Sequence, residues 1–166
     1  MFKPDHTTLP KGREYPADLD ELGFKINEQG QFVSKTTGEF IPIFVSDDDD
    51  ANEAFNKAVR ECTSDAVLEE LARYHVKKHF LTEDNVLKPT RPLEKHIDIL
   101  CSDRKILAKS PDIVLVIPDR DSQLGIWSST ELLGCGGIER GSVVGLVEKL
   151  QNTDLRGTDK VRKRPL

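Results

Sequence analysis

The chain reads as an α/β fold, an N-terminal β-meander followed by a small sheet with flanking helices. Three observations predict it. Short alternating runs broken by glycine turns fill residues 24–45, and a long helical period follows over Ala51–Lys78. Farther on, Ile113–Ile117 is five consecutive apolar residues, four of them β-branched. A run with no polar face reads as a central strand buried on both sides of a sheet. Pro118 ends it, because proline has no N–H to donate to a ladder. In open α/β sheets ligands gather beyond the carboxyl ends of such strands, so residues 118–127 are the first place to look for a site.

Residues 1–14 are polar, hold two prolines, and are expected to be a flexible lead-in. A single α/β domain is expected over residues 15–150, with a basic tail over 151–166. Ala17–Gly23 makes a turn of helix that glycine stops. Phe24–Asn27 and Gln31–Ser34 alternate around Glu28-Gln-Gly30, which is a hairpin signal. Thr36-Thr-Gly38 turns into a third strand, Phe40–Val45, which Pro42 places at an edge.

Ser46 and the four aspartates Asp47–Asp50 suit a helix N-terminus, where short polar side chains cap and negative charge complements the macrodipole. The helix that follows carries Ala51, Phe55, Ala58, Val59, Cys62, Ala66, Leu71 and Tyr74 at helical spacing. Its expected last turn holds Lys77, Lys78 and His79. That places His75 and His79 on one face, yet Val76 stands where a zinc-protease helix needs glutamate.

Residues 82–96 read as a loop, His96–Cys101 as a strand, and Ser102–Leu107 as a short helix. Gly125–Leu133 reads as another short helix leading into Gly134-Cys-Gly-Gly137. That glycine cluster lacks the lysine of a phosphate loop and follows no strand, so it reads as a flexible loop. Ser142 caps a last helix whose apolar side is Val143, Val144, Leu146, Val147 and Leu150.

A net charge of −5 gives no overall attraction to nucleic acid or an anionic membrane, so direct nucleic-acid binding is not expected. Cys62, Cys101 and Cys135 stand far apart and odd in number, which fits free thiols rather than disulfides or a zinc site. No apolar run approaches the ~18 residues of a membrane span, and residues 1–6 have no signal-peptide core. The expectation is a soluble intracellular chain with no metal and no cofactor. Lys160, Arg162, Lys163 and Arg164 form a basic run that reads as a nuclear-localisation signal or a solubilising tail. The loop after the central strand offers Asp119, Arg120, Asp121 and, farther along, the lone tryptophan Trp127 as candidate ligand or partner contacts.

Tyr15-Pro-Ala-Asp-Leu-Asp-Glu-Leu-Gly-Phe-Lys-Ile-Asn-Glu-Gln-Gly-Gln-Phe32 has a familiar order, and Thr37-Gly-Glu-Phe40 continues it. Ile113–Ile117, then Gly125-x-Trp127, then Gly141-Ser142 before an apolar helix complete the set. Together these resemble the Argonaute-binding proteins of fungi and their animal relatives, the family with sequence similarity 172 or cotranscriptional regulators. The likeness spans Tyr15 to Leu150. It implies an α/β-hydrolase-like domain, of which this chain would cover only the N-terminal part. It also implies a protein partner, Argonaute or a chromatin or RNA-processing factor, and work in the nucleus and cytoplasm.

A serine hydrolase of that fold needs a G-x-S-x-G elbow and a glycine-rich oxyanion loop. These residues contain no such elbow, and Gly141-Ser-Val-Val-Gly145 has its serine misplaced. Pro118-Asp-Arg-Asp-Ser122 would set two carboxylates beside a developing oxyanion, the wrong sign for catalysis. The resemblance, the basic run and the missing elbow together favour a non-catalytic adaptor, which by the resemblance would work in small-RNA silencing, heterochromatin or splicing-linked regulation. The alternatives are a serine-type esterase, or a small-ligand or metal module using Asp47–Asp50 or Asp119 and Asp121 with His96. A sheet cut off after Ile113–Ile117 would leave an apolar edge, which predicts homodimers or dependence on a partner.

Overall fold

The computed structural model describes residues 14–109, 113–117 and 123–152. The N-terminal hairpin is as expected: β1 (Phe24–Ile26) pairs antiparallel with β2 (Phe32–Ser34), and Ile26 faces Phe32. Asn27 shapes the turn, its Oδ1 accepting from the N–H groups of Gln29 and Gln31. Gly30 closes it at a φ of +73°, a conformation that side chains resist. Ahead of the hairpin, Asp18 Oδ1 accepts from Asp20 and Glu21, and Gly23 at φ +82° ends that turn.

The expected third strand does not form. Phe40 makes a single bridge to Val33, and Ile43 and Phe44 lie exposed. From Val45 the backbone turns to a side chain instead of a ladder. Asn52 Oδ1 accepts from Val45 and Ser46, and its Nδ2 donates to the Ser46 carbonyl. One buried amide thus satisfies a segment that Pro42 leaves short of sheet partners.

Helix α1 spans Asp49–Arg73. Asp48 caps it by accepting from Asp50, and Asp49 and Asp50 fill its first turn, so the aspartate run has an ordinary role. Phe55, Val59, Val67 and Leu71 form its buried side. The helix ends five residues earlier than its periodicity suggests. His75 takes a φ of +60°, and the chain reverses into β3 (Val76–Thr82). Lys77, Lys78 and His79 are therefore strand residues, and the reading of His75 and His79 on one helical face is overturned. Val76 and Phe80 explain the error: four apart, they suit one helix face and one strand face equally well.

A second sheet follows in the order β4-β3-β5, with β4 at Leu87–Lys88 and β5 at His96–Ser102, all antiparallel. β4 lies inside the stretch read as loop. Asn85, at φ +60°, supplies the turn that lets residues 86–88 return along β3. α1 packs on β3, which makes β3 and not Ile113–Ile117 the middle of the sheet.

The remaining elements are short: α2 (Arg104–Leu107), α3 (Ser129–Leu133), α4 (Gly137–Gly141) and α5 (Val144–Asn152). Ser128 caps α3 and Ser142 leads α5, its Oγ accepting from Val144. The apolar core joins all parts, from Phe24, Phe32 and Ile41 through α1 to Ile126, Leu132, Ile138 and Val144. Helices with antiparallel sheets make up the α/β class that the sequence predicts.

Candidate functional site

Ile113–Ile117, the expected central strand, is the segment that the fold treats most differently from expectation. The five residues are not a buried central strand. Their side chains are 76, 52, 80, 38 and 82% exposed in order, and among the described residues their backbone groups have no hydrogen-bond partner. Burial on both faces needs a neighbour on each side of a strand and a layer above and below it. The described elements supply neither. β5 ends the sheet with one side unpaired among the described residues, and Ile97 on it is 61% exposed.

The consequence is chemical. Five apolar side chains, and peptide groups unmatched among the described residues, are together what a strand from another chain can satisfy, by backbone bonds and alternate side-chain contacts. Contiguous exposed apolar surface of this kind marks interaction sites more often than single exposed residues do.

Trp127 is half-exposed and anchored by its backbone. Its N–H donates to the Gly141 carbonyl at 2.9 Å, Ser128 donates to the same oxygen, and Val143 donates to Gly125. Ile126 bridges Ser142 between them. Gly125 sits at φ +81°, where a Cβ would lie 3.0 Å from Leu100. Gly125-x-Trp127 and Gly141-Ser142 are thus two halves of one packed junction. Asp119, Arg120 and Asp121, and the basic residues Lys160, Arg162, Lys163 and Arg164, lie outside the described residues.

The glycine cluster is also structural. Gly134–Gly136 forms a turn and Gly137 opens α4, so the flexible-loop reading is corrected. Ile138 donates its N–H to Gly30 at 2.9 Å, and Gln31 Nε2 donates to Cys135. Gly137, at φ +56°, has room only for hydrogen: a Cβ would stand 2.6 Å from the Gly30 oxygen. The signal missed in the sequence was the need of two distant glycines for each other.

The titratable groups give no activated nucleophile among those described with a shift. Burial pushes the Cys62 thiol up, with help from the Asp18 and Asp65 charges, and burial then Asp103 push Cys101 up. Thiols so placed are poor thiolates near neutrality. His96 is engaged in the sheet, its ring edge-on to Phe80 at 5.3 Å and its Nδ1 2.7 Å from the Glu94 carbonyl oxygen. His75 Nδ1 lies 3.8 Å from Asp103 on the surface. Among the described residues no helix is long and apolar enough to cross a membrane.

The opening of the ordered sequence set packs into the core. Tyr15 stacks edge-on to Phe55, Leu19 and Leu22 pack on the core, and Phe32 is fully buried. The family model of the Arb2 domain matches residues 15–158. The chain belongs to the Arb2 domain family. This is the Argonaute-binding family that the opening motif resembles. No curated protein and no solved structure matches the chain. In this Arb2 domain Gly30, Phe32 and Gly125 of the motif serve the fold, and Ile113–Ile117 lies exposed.

Proposed function

We propose that this Arb2 domain is a non-catalytic adaptor that binds Argonaute in nuclear small-RNA silencing, heterochromatin formation or splicing-linked regulation. The family match over residues 15–158 is the observation that carries the reading. Ile113–Ile117 supports it with a contact surface: an apolar strand-like segment whose peptide groups are unmatched among the described residues. An extended partner segment would pair with it and bury alternate side chains. Trp127 belongs to the proposed contact by its exposure, and Asp119, Arg120 and Asp121 by their place in the sequence after the segment. The non-catalytic part rests on the sequence, which has no nucleophile elbow in these residues.

Affinity purification of the tagged chain from nuclear extract tests the proposal. Argonaute is expected with the wild type and lost with I113D/L115D/I117D, whose apolar contacts become charges. Recovery of Argonaute unchanged by that triple substitution would remove the segment from the proposal. Absence of Argonaute and of any RNA-processing factor from the wild-type eluate would remove the function itself.

A further inference from the structure

An open groove of about 430 Å³ runs between the N-terminal turn, β1 and helix α1. Its floor includes Ala66 and Ile26, and its rim carries Asp18, Asp20, Asp65 and Glu69 against the single lining cation Lys25. Asp20 is satisfied by an ion pair with Lys35. Asp65 and Glu69 make no salt bridge among the described residues. They stand four apart on one face of α1, where like charges repel and a cation between them relieves the strain. The negative potential reaches inward, since Asp18 and Asp65 both help to raise the Cys62 thiol. The groove therefore has the chemistry for a basic segment with aliphatic stems, which lie along apolar floor while their charges meet the rim.

The chain carries one such segment. Lys160-Val-Arg-Lys-Arg164 has four cations among five residues, in a chain whose net charge is −5. Its origin is fixed by the fold. Gln151, in the last turn of α5, donates through Nε2 to the carbonyl of Tyr74 at the end of α1, so residue 152 leaves from that end. Along α1, Glu69 and Asp65 lie about 8 and 14 Å back from Tyr74, at 1.5 Å per residue. At 3.6 residues per turn Glu69 and Asp65 lie about 140° and 180° round the helix from Tyr74, which adds roughly 13 and 17 Å on a cylinder of this diameter. Lys160 lies eight residues beyond Asn152, an extended reach of about 26 Å. The direct surface paths, about 15 Å to Glu69 and about 22 Å to Asp65, lie within that reach, the second with little slack.

We infer that the groove between β1 and α1 binds the chain's own basic segment, Lys160–Arg164, through Asp65, Glu69 and Asp18. Docked there, the cations that read as a nuclear-localisation signal are covered by the domain that carries them. Any process needing those cations then competes with Asp65 and Glu69. The inference uses none of the residues in Ile113–Ile117 and stands or falls apart from the Argonaute proposal.

Zero-length carbodiimide coupling of the full chain, followed by separation of monomer and peptide mapping, tests it. Amide links from Lys160 or Lys163 to Asp65 or Glu69 are expected in the monomer. Their yield should fall severalfold in 1 M salt, where the screening length is about 3 Å. In D65N/E69Q, whose fold is checked by circular dichroism, links from the same lysines to Asp18 should also fall. Monomer in which both lysines couple elsewhere, or not at all, would overturn the inference. So would groove links found only in covalent dimers, since the segment would then belong to a second copy.

Discussion

Ile138 donates its backbone N–H to the carbonyl of Gly30 across 2.9 Å, joining the start of α4 to the turn of the N-terminal hairpin. The pair ties the opening motif to the glycine cluster near the other end of the fold. Gly137 stands beside it in a left-handed conformation, close enough that a methyl group would meet the Gly30 oxygen. Gly137→Ala is therefore expected to destabilise the fold by about 1–3 kcal/mol, the cost of strain at such a position. Urea midpoints of the two proteins check this. An unchanged midpoint would mean that α4 docks without that contact.

Asn52 holds the segment that fails to become a strand. Its side chain makes three hydrogen bonds to the backbone of Val45 and Ser46 while buried itself. Asn52→Ala leaves those groups without their partner and should cost about 1–3 kcal/mol. Limited proteolysis should then cut near residues 43–46 faster than in the wild type.

Leu71 is fully buried where α1 meets β3 and the Gly125 junction. Leu71→Ala should cost about 2–5 kcal/mol through lost contacts and the cavity left behind. Thermal melts with the same buffer and concentration decide it. A loss under 1 kcal/mol would place the helix outside the cooperative core.

The cysteines should respond to alkylation in the order of their exposure, Cys135 first and Cys62 last. Burial raises the Cys62 pKa above that of an exposed thiol, so the folded state prefers the protonated thiol. The associated stability is present in full below the unfolded thiol's pKa and is lost as pH rises through the higher folded value. Stability should thus decline as pH rises past the ordinary thiol range, about 8.5, and Cys62→Ala should flatten that decline. A variant whose alkaline profile overlays the wild type would contradict the assignment.

The local signals in the sequence were dependable where one residue type had one physical use. Asn27 and Gly30 gave the hairpin, Asp48 the cap of α1, and Ser142 the lead into α5. The end of α1 was not legible, because Val76 and Phe80 serve a helix face and a strand face alike. Ile113–Ile117 has the composition of a buried strand, but burial depends on neighbours that a five-residue run does not encode. Among the described residues those neighbours are missing, and the run is exposed. The role of the glycine cluster lay in a contact between residues more than a hundred positions apart, which spacing along the chain cannot show. Of the candidate contacts, Trp127 alone lies among the described residues, and it is half-exposed.

The same exposure predicts self-association when no partner is present, because unmatched strand edges pair with each other. Light scattering after gel filtration should show a concentration-dependent dimer, and I113D/L115D/I117D should run as monomer. A wild-type chain that stays monomeric at high concentration would contradict pairing through this segment.

The central claim is that Ile113–Ile117 is the contact for Argonaute. Amide hydrogen exchange over residues 113–117, with and without purified Argonaute, tests it most directly. The account predicts fast exchange in the free chain and strong protection in the complex, as a partner strand takes up the peptide groups. A complex in which these five amides still exchange as fast as in the free chain would contradict it.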